Sequence, residues 1–354
     1  MKIDAFLRLS PKKTSVPVVV VEGEEDFFKE EAIRAVYAAM PGAERLKVQG
    51  DARDMDPARV LDELRTSSLF SSTKIVVVRE AQPFVQSVGE AVASFAEAAF
   101  AGRTLILDLK KLDRRTRLAK RVKNAGHIVE CKRLFAEVAP WHSGPAWDTE
   151  LARWVVKRLG ERGKAIGTEE AYHLTLITGS GLFEIDATVE KLSLLLGGRD
   201  RVTDGDIEAV AGHTCRNSTF AVAEAIADRD SLRALQLLHT AFRVGMTTGK
   251  GVITDASGVA IVCLGSIHRK LDELRRVRHH LERDGSTDTR TLATAVGIAP
   301  FAARRAIRQA RAFQTVDLEG CYRALLRCDL GIKGRAGGPA ALERLVVELE
   351  ACGR

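Results

Sequence analysis

The sequence predicts an α/β domain followed by an all-α region. Three observations carry that prediction. Short apolar, β-branched runs alternate with helical patterns up to residue 131. A breaker-rich stretch, Pro140-Trp141-His142-Ser143-Gly144-Pro145, follows. Beyond it, apolar residues recur almost wholly at helical spacing.

The elements follow in order. Val16-Pro17-Val18-Val19-Val20-Val21, bounded by Gly23, reads as a buried strand. A helix is expected over 26–40, with Phe27, Phe28, Ala32, Ile33 and Val36 on its apolar side. Further strands are expected at 74–79, around Ile75-Val76-Val77-Val78, at 104–108 and at 127–131, with helical patterns at 56–66 and 85–100. Such alternation favours a parallel sheet with helices on both faces. After the linker, helices are expected at 149–162, from Thr168 (an N-cap residue type), at 184–196 up to Gly197-Gly198, and from Thr203-Asp204-Gly205-Asp206. A longer helical bundle then runs through 219–227, 231–242, 259–283, 289–296, 300–313, 316–329 and 339–351. The Gly/Thr-rich interval 245–258 promises the least order. The expected division is 1–140, 146–213 and 214–354, in keeping with about 150 residues per domain.

Composition narrows the function classes. Hydrophobic residues make up 45% and charged residues 29%, so the chain can bury real cores. Aromatics, at 5%, argue against a base-stacking or sugar-binding surface. The start, MKIDAFLRLSPKKT, lacks a secretory leader, and no apolar run approaches a bilayer span, so a cytoplasmic protein without a membrane role is expected. The net charge of +7 is uneven: residues 1–213 carry 32 basic and 32 acidic side chains, residues 214–354 carry 22 and 15. Residues 110–133 hold ten Lys/Arg against Asp113 and Glu130. Two readings stand, a polyanion-facing surface or a solvated helix face.

Most catalytic chemistries find no support. The cysteines, at 131, 215, 263, 321, 328 and 352, form no C-x-x-C pair, and His279-His280 is the one adjacent histidine pair, so no metal site is expected. Gly179-Ser180-Gly181 follows a helix and is no nucleophile elbow. Cys131 ends a strand beside the basic run, a setting that can lower a thiol pKa, but has no assignable His partner, and buried free cysteine is the preferred reading. Asp204 and Asp206 read as a helix N-terminal turn.

An α/β domain followed by a small helical unit raises the question of nucleotide hydrolysis. A phosphate cradle after the first strand needs G-x-x-x-x-G-K-[ST]. Here Gly23-Glu24-Glu25-Asp26-Phe27-Phe28-Lys29 stands instead, with the second glycine gone and three carboxylates that would repel phosphates. Gly163-Lys164-Ala165 and Gly249-Lys250-Gly251 lack both strand context and hydroxyl. Asp108 ends an apolar strand as a magnesium-binding Asp would, although such acids are common without metal. No bound nucleotide or other cofactor is therefore expected.

Two further features remain. Residues 291–308 have a helix, a turn at Gly297 and a basic second helix with Arg304, Arg305 and Arg308, as in a DNA-reading helix-turn-helix. Yet Ala302, Ala303, Ala306 and Ala310 make a small face typical of a bundle helix. In Ser67-Ser68-Leu69-Phe70-Ser71-Ser72, the apolar pair either tucks under the sheet edge or forms an exposed plug for a partner's pocket.

Taken together, the chain resembles the delta subunit of the bacterial DNA polymerase III clamp loader over essentially its whole length. The matching residues are Val21-Glu22-Gly23-Glu24-Glu25, Ser68-Leu69-Phe70 before Lys74-Ile75-Val76-Val77-Val78-Arg79, Leu112-Asp113-Arg114-Arg115 with Lys120 and the strand Ile128-Val129-Glu130-Cys131, Thr188-Val189-Glu190-Lys191-Leu192, Val202-Thr203-Asp204-Gly205-Asp206-Ile207, Asn217-Ser218-Thr219-Phe220, Val296-Gly297-Ile298-Ala299-Pro300-Phe301, Asp329-Leu330-Gly331-Ile332-Lys333-Gly334 and Leu342-Glu343. The resemblance implies an ATPase-like (AAA+ type) domain without a P-loop, a small helical lid, and a helical collar. It implies no catalytic activity of its own, although the chain would be a subunit of the polymerase III holoenzyme, a nucleotidyltransferase. It also implies that Leu69 and Phe70 enter a pocket of the sliding clamp (beta), that the collar joins the gamma/tau and delta-prime subunits, and that primer-template DNA is met in the assembled loader. The stretches 141–147 and 245–258 depart from the pattern as insertions. A degenerate ATPase of the same superfamily and a helix-turn-helix regulator are the alternatives.

Overall fold

The computed structural model describes residues 1–50, 56–66, 72–98, 100–138, 144–145, 147–203, 205–207, 209–210, 219–248, 251–285, 288–298, 300–313, 318–334 and 337–352. It divides into two compact units, Met1–Arg133 and Leu134–Arg354.

In the first unit the short helices α1 (Ile3–Leu7) and α2 (Pro11–Thr14) precede β1 (Val18–Gly23), α3 (Asp26–Ala39), β2 (Glu44–Gln49), α4 (Pro57–Arg65) and β3 (Lys74–Arg79). Then come α5 (Gln82–Ala98), β4 (Arg103–Leu109), α6 (Arg117–Ala125) and β5 (His127–Cys131). The strands pair in the order β2-β3-β4-β1-β5, parallel throughout. β1, β3 and β4 are buried along nearly their full length, which is why they read as continuous apolar runs. Side chains alternate across the sheet: Val18, Val20, Val76, Val78, Leu105 and Leu107 share one core with α4, α5 and α6, while α1 and α3 pack on the other side.

The expected strands at 16–21, 74–79, 104–108 and 127–131 are all present, within a residue or two. The sequence reading missed β2. Its six residues, ERLKVQ, are exposed except for half-buried Val48, because it is one of the sheet's two edge strands and, unlike β5, carries charge in place of a core face. It also missed α1 and α2, each under two turns.

The second unit opens with α7 (Glu150–Gly160), α8 (Thr168–Thr178) and α9 (Leu182–Leu196). Thr149 caps α7 by accepting the Ala152 N–H at 3.0 Å. Thr168, expected as an N-cap, is instead the first helical residue, and Gly167 holds the cap position without a side-chain bond. Arg158 Nε and Arg162 Nη2 grip Asp186 Oδ1 at 2.7 and 3.0 Å, tying α7 to α9.

The rest is a helical bundle: α10 (Thr219–Ala227), α11 (Ser231–Val244), α12 (Ala256–Asp284), α13 (Thr289–Val296), α14 (Pro300–Ala312), α15 (Leu318–Lys333) and α16 (Gly338–Ala351). One apolar cluster runs through it, with Leu238, Val259, Leu271, Ala306, Leu325 and Leu342 among its buried members. The described residues of the interval 245–258 are more ordered than expected. It holds an antiparallel hairpin of β6 (Met246–Thr248) and β7 (Gly251–Ile253), and α12 begins within it. Short strands of three residues give too brief an alternation to read.

Candidate functional site

In this sheet the chain leaves β1 toward β2 on one side and leaves β4 toward β5 on the other. The carboxyl ends of β1 and β4 therefore frame the topological switch point, where open α/β sheets bind ligands. Gly23 ends β1 with φ of +137°, and a Cβ there would lie 2.1 Å from the Cys131 carbonyl oxygen, so the turn admits only glycine. The Glu25 N–H donates to the same carbonyl at 3.1 Å.

The N-terminus of α3 points into this crevice, the position where backbone N–H groups and a helix dipole would hold phosphate. The protein's own acids occupy it. Glu25 is the N-cap and accepts the Phe27 N–H at 3.3 Å, and Asp26 sits in the first turn. Lys29 lies six residues beyond Gly23, the register of a phosphate-binding lysine. Its Nζ is instead 3.0 Å from Asp108 Oδ1 and 3.2 Å from Asp26 Oδ1. Asp108, near the carboxyl end of β4, also accepts from Arg79 Nη1 at 3.3 Å, and Arg79 pairs in turn with Glu30. Burial pulls the Lys29 pKa down, but the hydrogen bond and charge of Asp108, with help from Asp26, raise it above its ordinary value. The ammonium is thus a fixed internal counterion. Beside it, buried Glu22 accepts the Leu112 N–H at 2.9 Å and pairs with Arg114.

Sequence reading named Asp108 and the acidic replacement of the cradle. It missed Arg79 and Glu30, which complete the knot. The available signal was an arginine closing an otherwise apolar buried strand.

Cys131 is a buried free cysteine, as the sequence reading preferred; burial pushes the thiol up to about 12, and the basic run does not activate it. Among the described residues no cluster of His, Cys, Asp and Glu is fit to hold a metal.

The Leu69–Phe70 pair lies outside the described residues, as do Asp204 and Cys215. The ends of the segment that carries the pair are described. Arg103, buried at the start of β4, donates from Nη1 to the Ser72 carbonyl at 3.0 Å and from Nη2 to the Thr66 carbonyl at 3.5 Å. One guanidinium therefore holds both feet of 67–71. They stand at the amino edge of the sheet, opposite the crevice.

The basic run 110–133 is split. On α6, Arg117 pairs with Glu90 and Glu97 at 3.2 and 3.3 Å, and Arg121 also pairs with Glu97 at 2.5 Å, so one flank is neutralised by α5. Lys120 and Lys123 lie on the other flank, exposed, with no ion pair among the described residues.

The 291–308 stretch does form two helices around Gly297, whose φ is +74°. Ala303, Ala306 and Ala310 are buried against the bundle. Arg305 turns inward to Glu224 (2.9 Å) and Asp228 (2.6 Å), and Gln309 bonds both acids at 2.7 and 2.8 Å. Lys270 joins Glu224 at 2.7 Å. A buried polar network thus fastens α14 to α10 and α12.

The first unit is thus a parallel sheet whose switch-point crevice is held by the protein's own ion pairs, and the second is helical in nearly all its described residues. The chain is similar to DNA polymerase III subunit delta of Bacillus subtilis (strain 168), 21% identical over 355 residues, covering 96% of this chain and 95% of that protein. The solved Bacillus subtilis DNA clamp loader delta protein superposes with a TM-score of 0.55 at 19% identity, over 99% of both chains. No protein-family model matches. The resemblance to the delta subunit drawn from the residues is borne out.

Proposed function

We propose that this chain is a non-catalytic clamp-loader subunit that binds and opens a ring-shaped sliding clamp for loading onto primed DNA in chromosomal replication. The observation that carries the reading is the full-length correspondence with delta, in sequence and in fold. The ion-pair knot at the crevice supports the non-catalytic part: Lys29, in the register of a phosphate-binding lysine, is held by Asp108 instead.

In this reading residues 1–140 bind the clamp, 146–213 form the lid, and 214–354 form the collar that joins the other loader subunits around primer-template DNA. Leu69 and Phe70 enter the clamp's apolar pocket, and their burial supplies about 1.5–3 kcal/mol each. Opening comes from tighter binding to the open clamp than to the closed one, since a ligand shifts an equilibrium only by its differential affinity. ATP acts through neighbouring subunits. No described helix is long and apolar enough to cross a membrane.

The test is capture of the cognate clamp by the intact chain. Leu69→Ala with Phe70→Ala should abolish capture while the circular dichroism spectrum stays unchanged; undiminished capture would overturn the plug. The degenerate-ATPase alternative requires micromolar ATP binding by the chain alone. The regulator alternative requires specific operator-like DNA binding that survives physiological salt.

A further inference from the structure

We infer that the solvent face of α14 is a phosphate-backbone contact for nucleic acid, made by Arg304, Arg308 and Arg311. The identity of that nucleic acid, primed template, rests on the loader reading; the contact itself rests on the helix.

Residues 289–313 carry five arginines and not one Asp or Glu. Four of the arginines are on α14. Arg305 is consumed by Glu224 and Asp228. The other three stand at i, i+4 and i+7, a single face opposite the buried Ala303, Ala306, Ile307 and Ala310. All three are exposed. Arg308 reaches Asp228 only at 3.8 Å with 73% of its side chain in solvent, and Arg304 and Arg311 make no ion pair among the described residues.

Many other arginines of the bundle have structural partners. Arg229 donates to the Leu349 and Glu350 carbonyls at 2.8 Å each, Arg276 to the Val296 carbonyl at 2.6 Å, and Arg278 to the Phe313 carbonyl at 3.1 Å. Arg275, Arg327 and Arg344 pair with acids on their own or a neighbouring helix. The α14 stripe has no such use. A favourable helix-dipole contact accounts for Arg311, in the last turn, but not for Arg304. Three like charges at this spacing repel one another. A polyanion laid along the face relieves that repulsion and releases its own counterions.

The face is built to hold backbone rather than to read bases. Gln309 is the single amide side chain on α14, and it is buried on Glu224 and Asp228. Arginine is left without the Asn, Gln or Ser companions of groove readout, so the contact is sequence-independent.

The test is fluorescence anisotropy of the full-length chain with a labelled primed-template oligonucleotide and with the same strand unprimed. Salt is varied between about 50 and 200 mM. Arg304→Ser, Arg308→Ser and Arg311→Ser combined should flatten the log-affinity against log-salt slope by about 2 on the single strand. The corresponding triple lysine variant should keep the wild-type slope, which separates charge from any damage to the fold. An unchanged slope in the serine variant, or no binding of either oligonucleotide by the wild type at low salt, overturns the inference. Clamp capture is measured on the same preparations. The serine variant should still capture the clamp; losing capture with DNA binding intact would overturn the inference in favour of an acidic protein surface. If the wild type fails to capture the clamp, the loader reading fails and the salt slope still decides the α14 contact.

Discussion

Lys29 and Asp108 show how a ligand crevice becomes a structural joint. Each partner removed from such a knot leaves a buried charge behind, a larger loss than the pair's net worth. Lys29→Met should therefore cost about 3 kcal/mol in urea unfolding. Adding Asp108→Leu should restore part of the loss, because Arg79 keeps Glu30. A double variant as unstable as the sum of its single variants would contradict the knot. The acids after Gly23 were legible in the sequence and told of a missing cradle. The lock was not, because Lys29, Arg79 and Asp108 come from α3, β3 and β4 and meet only through the sheet order. Arg103 was hidden for the same reason. Since it holds both Thr66 and Ser72, Arg103→Ala should weaken clamp capture severalfold without abolishing it. Capture equal to the wild type would separate the feet of 67–71 from the plug's function.

At the scale of elements, α14 carries the contest between bundle packing and groove reading. If its alanine face is close-packed, Ala306→Leu overpacks the core and should lower stability by about 1–3 kcal/mol in urea unfolding. A helix presenting that face to DNA would tolerate the change with unaltered stability. The alanine spacing already argued for packing in the sequence, and the burial of Ala303, Ala306 and Ala310 agrees. Legibility tracked burial across the elements. β1, β3 and β4, covered on both faces, announced themselves as apolar runs; edge strand β2 did not, because solvent exposure removes the hydrophobic signal, and the three-residue strands of the hairpin are too short to show one. The arginine caps are a further case. Arg229 reaches the C-terminal carbonyls of α16 and stacks 5.3 Å from the Phe313 ring, a pairing across 120 residues that no local pattern shows. Arg229→Ala should cost about 1.5–3 kcal/mol, measured as a shift in the urea midpoint at constant slope.

Over the whole molecule, the excess of +7 looked first like a nucleic-acid footprint, while many of the 54 basic side chains prove to be internal wiring that leaves the excess itself untouched. The wiring has a pH signature. In the second unit Asp186, Asp228, Asp272 and Glu348 are all held below the ordinary carboxylate range. For Asp186, burial pushes the pKa up, but Arg158 and Arg162 outweigh it. A depressed carboxylate contributes stability that is fully present above its unfolded pKa and is lost as pH falls through its folded one. For Asp186 the loss therefore begins near 3.8 and continues below it. Lys29 has the opposite sign: its contribution is complete below 10.5 and fades as pH rises through the raised value. The chain should thus melt at a nearly constant temperature across the neutral range and lose stability in acid. Asp186→Asn should lower the melting temperature at neutral pH, and the gap from wild type should narrow steadily below about pH 4 as the wild-type carboxylate is protonated. Scanning calorimetry of both proteins at intervals down to about pH 2 decides it; a gap that stays constant through that range would show that the Arg158–Asp186–Arg162 joint adds no charge-dependent stability.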